Sequence, residues 1–238
     1  MRGRQILDQA IAALGGQAYL SLRDWHFEGR GFSFDHFERI TGMAPIIEMD
    51  RLPDKYRQAQ GKNHDYIVVW NGDHGWDSSF RGVAPLPAAD IERIKLGRKL
   101  SFDVILRFRL NEPGVQVFFI ETDFVDGQPV DIVEFSDADR NVVKLGFAHE
   151  SHFPVRREWE RKLPTHDREQ NVETLSKYHA AKGTIVQFPF YIGRERNGIK
   201  VFEFFINEID TTHRLDDASF DRPPGNERID VPSRKGGK

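Results

Sequence analysis

YIVVWNGDHGWDSSFRG, residues 66–82, is the stretch on which the fold turns. Residues 66–70 are apolar and strand-length, and a second strand-like segment begins at Gly75. Between them lie Asn71, Gly72, Asp73 and His74. Asn and Gly enter the left-handed backbone region at little cost, and an Asp side chain closes a turn on its own main chain. The centre is therefore a tight corner between antiparallel strands. An acid beside an imidazole also invites a catalytic reading. Catalysis by Asp73 and His74 would need a third group and a pocket, and neighbours on a turn rarely converge on one substrate. Trp70 and Trp76 are then strand residues on the wall of a core or a cavity.

Working outward, segments of the same kind recur on both sides. Residues 24–38, 44–52 and 55–61 precede the corner; 114–125, 129–136, 141–150, 154–163, 171–180, 185–195 and 199–209 follow it. Pro53-Asp54, Asp126-Gly127, the run 137–140 and Asn197-Gly198 supply the turns. Helical signals are confined to two places. Ile6, Leu7, Ala10, Ile11 and Leu14 form one helical face ending at Gly15-Gly16, with a shorter helix over 17–22. Residues 85–99 open with Pro and acidic residues as helices do, and in 101–110 Phe102, Ile105, Leu106 and Leu110 share a stripe. This predicts a mainly β (α+β) domain of about 11 antiparallel strands over residues 1–220. The segregation of helices excludes an alternating βαβ dinucleotide fold. Residues 221–238, rich in Pro, Gly and charge, are expected to be disordered.

The composition narrows the function. Lys and Arg number 34 against 37 Asp and Glu, a net charge of −3, which argues against a nucleic-acid binder. The absence of Cys removes disulfides, thiolate nucleophiles, Cys-ligated zinc and the attachment point of a lipoprotein anchor. No run approaches the ~20 apolar residues of a transmembrane helix. The chain holds 19 Phe, large apolar groups without a polar handle.

Those Phe residues sit in strands that are apolar on both faces. Phe202, Phe204 and Ile206 are expected on one side of 199–209, with Val201, Phe205 and Ile209 on the other. Segments 66–70, 117–120 and 186–192 are similar, whereas 55–61 and 154–163 are strongly polar. The pattern fits either a thick core or a lined cavity. The apolar candidates for a cavity wall are Trp70, Trp76, Phe102, Ile105, Leu106, Phe118, Phe188, Phe190, Phe202 and Phe204.

Other motifs read as structure. His149 and His152 have helical metal-ligand spacing but lie between two strands, with Pro154 enforcing extension, so they are turn histidines. The run from Asp137 mimics a calcium loop, yet Val142 stands where Gly is required and Ala148 where a bidentate Glu belongs. Glu121, Asp123, Asp131 and Glu134 carry no spacing that defines a carboxylate pair. No nucleophile elbow, phosphate loop or zinc helix motif occurs, so no catalytic residue, metal or cofactor is expected.

Taken in order, residues 13–31, 51–57, 68–76, 81–87, 152–159, 186–192 and 216–220 resemble bacterial outer-membrane lipoprotein-sorting-like proteins of the LolA-like superfamily, over about residues 4 to 220. The resemblance implies an unclosed half-barrel: one strongly curved sheet whose concave face is covered by the N-terminal helix and the mid-chain helical block. It also implies a non-enzymatic periplasmic carrier of lipoprotein acyl chains or another hydrophobic ligand, with an envelope protein as partner. The helix bearing Phe102, Ile105 and Leu106 would serve as lid. The chain departs from those proteins in lacking a Cys and in opening on an amphipathic helix rather than an export signal. Two other readings stand beside it: an interaction scaffold of the same fold with a filled interior, and a hydrolase with an unrecognised site.

Overall fold

A computed structural model describes residues 1–163 and 165–228. Helices α1 (Arg2–Ala13) and α2 (Gln17–Ser21) lead into six strands: β1 (Asp24–Phe34), β2 (Ile40–Arg51), β3 (Lys55–Gln60), β4 (Tyr66–Asn71), β5 (His74–Ser79) and β6 (Gly82–Pro85). Helix α3 (Ala88–Lys99) and the short α4 (Phe102–Val104), which runs on into a π turn over Ile105–Arg109, separate these from seven more. The second set is β7 (Gln116–Val125), β8 (Gln128–Ser136), β9 (Val142–Ala148), β10 (Pro154–Lys162), β11 (Arg168–Ala180), β12 (Gln187–Arg196) and β13 (Ile199–Asp210).

All of them form one open antiparallel sheet of 13 strands, in the order β6-β5-β4-β3-β2-β1-β13-β12-β11-β10-β9-β8-β7. Each wing is a plain meander, and the first and last strands pair in the middle. Strands β6 and β7 are consequently the two outer edges. The chain between them has to cross from one edge of the sheet to the other, and α3, α4 and the π turn make that crossing.

The expected mainly β half-barrel is the observed architecture, with 13 strands rather than about 11. The corner at residues 71–74 is a two-residue hairpin in which Asn71 pairs with His74 and Gly72 has φ 59°. Helix α1 buries Ile6, Leu7 and Ala10 and packs on β7 and β8. Phe102, Ile105, Leu106 and Leu110 are all buried, so the predicted stripe is a core stripe.

One strand departs from strict alternation. Ile209 was expected opposite Phe204 but is only 1% exposed and belongs to the same core cluster. A bulge between Glu28 and Gly29 places Gly29 against Ile206 and Glu28 against Glu208, which skips one residue of β13 and flips the face. Phe205 remains on the opposite side, edge-on to Phe32 at 5.7 Å and to Tyr191 at 5.1 Å. At the β6 edge, Val83 bonds Asn226 and Arg228 through main-chain groups, and Arg228 forms an ion pair with Asp77. The remainder of the segment expected to be disordered, from residue 229, lies outside the described residues.

Candidate functional site

The helix-covered side of the sheet divides into two halves of opposite character. Beneath α1, α2 and α4 the interior is solid. Trp25, Phe27 and Phe188 stack edge to face, with centroids of 5.3 Å (Trp25–Phe188) and 6.0 Å (Phe27–Phe188), and Phe102 meets Phe147 at 5.4 Å. Phe204, Ile105 and Leu106 fill the space among them. Helices thus supply the layer that covers the inner apolar face of these strands, while on the other face Phe205 packs on the strand aromatics Phe32 and Tyr191.

Beneath α3 the interior is open. A cavity of about 480 Å³ lies between that helix and the sheet, a size typical of small-molecule sites. Its walls come from β2, β3 and β4 on one side and β10, β11 and β12 on the other, so the curl of the sheet brings distant strands face to face. Trp70, Val68, Ile94, Trp159 and Phe202 give it an apolar stripe. Most of the remaining lining is charged or amide: Glu48, Gln58 and Gln60 on one wall, Arg157, Arg161 and Glu173 on the other. A second concavity, along the outer face of α1, is a shallow groove flanked by Met1, Arg4, Gln5 and Asp8.

The charged wall is organised across three adjacent strands. Arg157 on β10, Glu173 on β11 and Arg194 on β12 stand directly opposite one another. The two guanidinium Nε groups donate to the two oxygens of Glu173 at 2.8 and 3.0 Å. Further along the same strands, Glu169 lies between Arg161 at 3.1 Å and Arg196 at 3.4 Å. Burial opposes the ionisation of Glu173, but the charges of Arg157 and Arg194 outweigh it and pull its pKa down to about 2. Glu48 goes the other way. Burial, reinforced by the carboxylate of Asp50, pushes it up to about 7 against the pull of Arg194 and hydrogen bonds from Gln58 and Tyr56. The cavity thus holds one firmly ionised glutamate and one poised near neutrality.

Helix α3 is a roof held by polar ties. None of its residues is buried. Arg98 forms an ion pair with buried Asp50 and donates to the carbonyls of Pro53 and Lys55 at 3.3 and 3.1 Å. Arg157 donates to the carbonyl of Gly97 at 2.8 Å. Lys95 reaches Asp73 at the β4–β5 corner.

The structure brings only some of the sequence-selected residues to this cavity. Trp70 and Phe202 line it. Phe102, Ile105, Leu106, Phe188 and Phe204 are buried in the solid half, and Phe190 packs against that core from a half-buried position. Trp76 is half-buried on β5, stacked with His74 at 6.1 Å. Phe118 points outward from β7 and is 52% exposed. The helix expected to act as lid is core, and α3 occupies the lid position instead. Much of the charged and amide lining comes from the two segments whose sequence is strongly polar, 55–61 and 154–163. Their period-2 spacing (Arg157, Trp159, Arg161; Tyr56, Gln58, Gln60) was the available signal, but sequence does not say which face of a polar strand turns inward.

The weighed motifs resolve structurally. His149 Nδ1 lies 2.9 Å from Asp131, while His152 sits in the turn with φ 60°. Asp137 closes its own hairpin through Asn141 and receives Arg109 and Lys99 at 2.9 and 2.8 Å, so cations of the protein fill its coordination sphere. Burial raises Asp137, but hydrogen bonds from Lys99, Asn141 and Arg109 hold it well below the usual carboxylate range. Among the described residues no cluster of His, Asp and Glu has metal-binding geometry, and no helix is long and apolar enough to cross a membrane.

With its single open, curled antiparallel sheet of 13 strands, the chain has the LolA-like fold. It is similar to a LolA superfamily protein from Nitrosomonas europaea (13% identity, TM-score 0.56, covering 92% of this chain and 97% of that one). It is also similar to a domain described as an outer membrane lipoprotein-sorting protein from Vibrio parahaemolyticus (10% identity, TM-score 0.60, 92% and 96% covered). A DUF1329 family protein from Desulfovibrio piger gives 12% identity and a TM-score of 0.61, with 92% and 97% covered. At these identities the likeness is one of fold. No protein-family model matches the chain, and no curated protein matches it significantly.

Proposed function

We propose that the protein is a non-enzymatic binding protein of the bacterial envelope that carries a single-chain amphiphile in the cavity beneath α3. The observation that carries this reading is the cavity itself. It is roofed by a helix with no buried residue and offers an apolar stripe of Trp70, Val68, Ile94, Trp159 and Phe202. Its 480 Å³ would accommodate a chain of roughly ten to fifteen methylenes, taking ~30 Å³ for each group the size of a water molecule. Burying ten methylenes contributes about 8 kcal/mol before ordering costs. The LolA-like fold and its likeness to a lipoprotein-sorting domain support acyl chains as the apolar part and the periplasm as the compartment.

Native mass spectrometry of gently purified protein, followed by titration with a fluorescent fatty acid, tests the proposal. The expected result is one bound molecule per chain, with affinity reduced at least tenfold in Trp70→Ala and unchanged in Phe118→Ala. Absence of uptake by folded protein would remove the carrier reading.

A second reading, an interaction protein working through its sheet edge, draws on Phe118, Ile120 and Phe124, all exposed on edge strand β7. The double variant Phe118→Ser, Phe124→Ser separates the two, because it leaves ligand uptake intact if the cavity is the working site.

A further inference from the structure

The charged wall says something about the head of such a ligand, and this rests on the carrier reading above. Six arginines line the cavity (Arg93, Arg98, Arg157, Arg161, Arg194 and Arg196) against three glutamates. Even counting Asp50 and Glu169, which are paired with Arg98 and with Arg161 and Arg196, the cations outnumber the carboxylates. The excess has a definite place. Each of the two cross-strand triads puts one carboxylate between two guanidinium groups, leaving a net positive charge on each.

The donors in these triads are only partly used. In the first, Glu173 takes the Nε–H of Arg157 and of Arg194, and Gly97 takes Nη1 of Arg157. Among the described residues no acceptor meets the Nη groups of Arg194, and Arg196 makes only a 3.4 Å ion pair. In the second triad the Nε–H of Arg161 is buried and has no acceptor among the described residues. A buried N–H without a partner is costly, and guanidinium donors of this kind suit a planar or tetrahedral oxyanion. Side-chain exposure rises from 8% at Arg157 to 23% at Arg161, 43% at Arg194 and 46% at Arg196. The underused donors of Arg194 and Arg196 therefore stand toward the exposed end of the charged wall, with Arg161 between them and the buried Arg157, while Trp70 and Ile94 line the cavity on the opposite wall and the roof. Negative head at the mouth and apolar tail within is the arrangement these positions define.

We propose that the cavity selects an amphiphile with an acidic head group, a carboxylate or a phosphate monoester, held by Arg161, Arg194 and Arg196. The preference for acid over alcohol comes from charge-assisted hydrogen bonds that a hydroxyl cannot supply in equal number.

Three ligands of equal chain length decide it: laurate, dodecyl phosphate and dodecanol, each titrated below its micelle concentration while the fluorescence of Trp70 and Trp159 is followed. At 50 mM salt both acids are expected to bind at least tenfold more tightly than dodecanol, and the margin shrinks at 500 mM. The order of the two acids identifies which oxyanion the site prefers. The variant Arg194→Gln, Arg196→Gln keeps Arg157 on Glu173; in it, affinity for the acids falls at least tenfold while dodecanol is unaffected. Should that variant fail to fold, the wild-type acid-to-alcohol ratio and its salt dependence decide the matter alone. Equal binding of all three ligands would overturn the head-group assignment and leave the carrier reading standing. Binding of none would overturn both.

Discussion

The guanidinium of Arg157, in the floor of the cavity, donates to the carbonyl of Gly97 in the roof at 2.8 Å. The same guanidinium is paired with Glu173, so one buried carboxylate on β11 fixes the side chain that tethers the helix. Removing it leaves Arg157 and Arg194 facing each other without a counter-charge. Glu173→Ala is expected to destabilise the protein by about 3–5 kcal/mol, read from urea unfolding. The pH profile gives an independent check. The folded pKa of Glu173 is depressed to about 2 from 4.5, so its contribution is fully present above pH 4.5 and is lost as pH falls toward 2. That loss is worth roughly 3 kcal/mol. Wild-type stability should therefore drop more steeply than that of Glu173→Gln across this window; parallel curves would contradict the pairing.

Helix α3 carries no buried residue, unlike α1. Its amides are expected to exchange with solvent sooner than those of α1 in hydrogen-exchange mass spectrometry. The Lys95–Asp73 pair involves an Asp side chain that is 82% exposed, so Lys95→Ala is expected to leave the urea midpoint of global unfolding nearly unchanged. Its effect appears locally, as faster exchange confined to α3. Slow exchange in α3 matching α1 would mean that the roof does not open.

Glu48 reverses the sign seen at Glu173. Its pKa rises to about 7 in the folded protein from 4.5, so the folded state holds a proton that the unfolded chain has released. Stability falls as pH rises from 4.5 through 7, by up to about 3 kcal/mol. Glu48→Gln removes that penalty: it is expected to be more stable than wild type at pH 8 and equal to it at pH 4. The charged groups facing Glu48 are Asp50, which raises its pKa, and Arg194, which lowers it. A variant with the same advantage at both pH values would show that the gain has another origin.

Gly29 and Gly31 lie on β1 under the aromatic face of β13. A Cβ on Gly29 would come 2.3 Å from the main-chain oxygen of Phe205 and 2.7 Å from the ring of Phe204. At Gly31 the nearest atom, also at 2.3 Å, is the terminal methyl of Ile46, with the Phe202 ring at 3.0 Å. Main chain in a sheet cannot retreat, whereas a methyl can rotate away. Gly31→Ala is expected to cost about 1–3 kcal/mol, the usual range for overpacking. Gly29→Ala should cost more than Gly31→Ala in the same denaturation assay. The reverse order would show that the strand, not the side chain, is the softer neighbour.

How much of this could be read from residues alone follows from where the information sits. The helix over Ile6–Leu14, the corner at Gly72 and the stripe Phe102–Leu110 are local patterns, and each is realised. The facing of Ile209 was not legible, because the bulge that flips it, an extra residue at Asn207 of β13 opposite the Glu28–Gly29 step of β1, exists only in the pairing of the two strands. The cavity was hidden for a related reason. Arg157 and Gln58 sit on strands β10 and β3, six places apart in the sheet order; they look into one space only because the sheet curls, and alternation within a strand carries no word of curl. Polar residues therefore read as solvent-facing when they face a hollow.

The pairing of β1 with β13 has a consequence for biogenesis. The first strand made can find its second neighbour only after the last has been made, so neither wing is sealed along its inner border until the chain is nearly complete. Through that interval β1 presents a bare row of main-chain donors and acceptors beside Trp25 and Phe27, open to any extended peptide that reaches it. A shortened product ending before Ile199 would keep that vacancy permanently, and its fate would be association or proteolysis rather than partial activity.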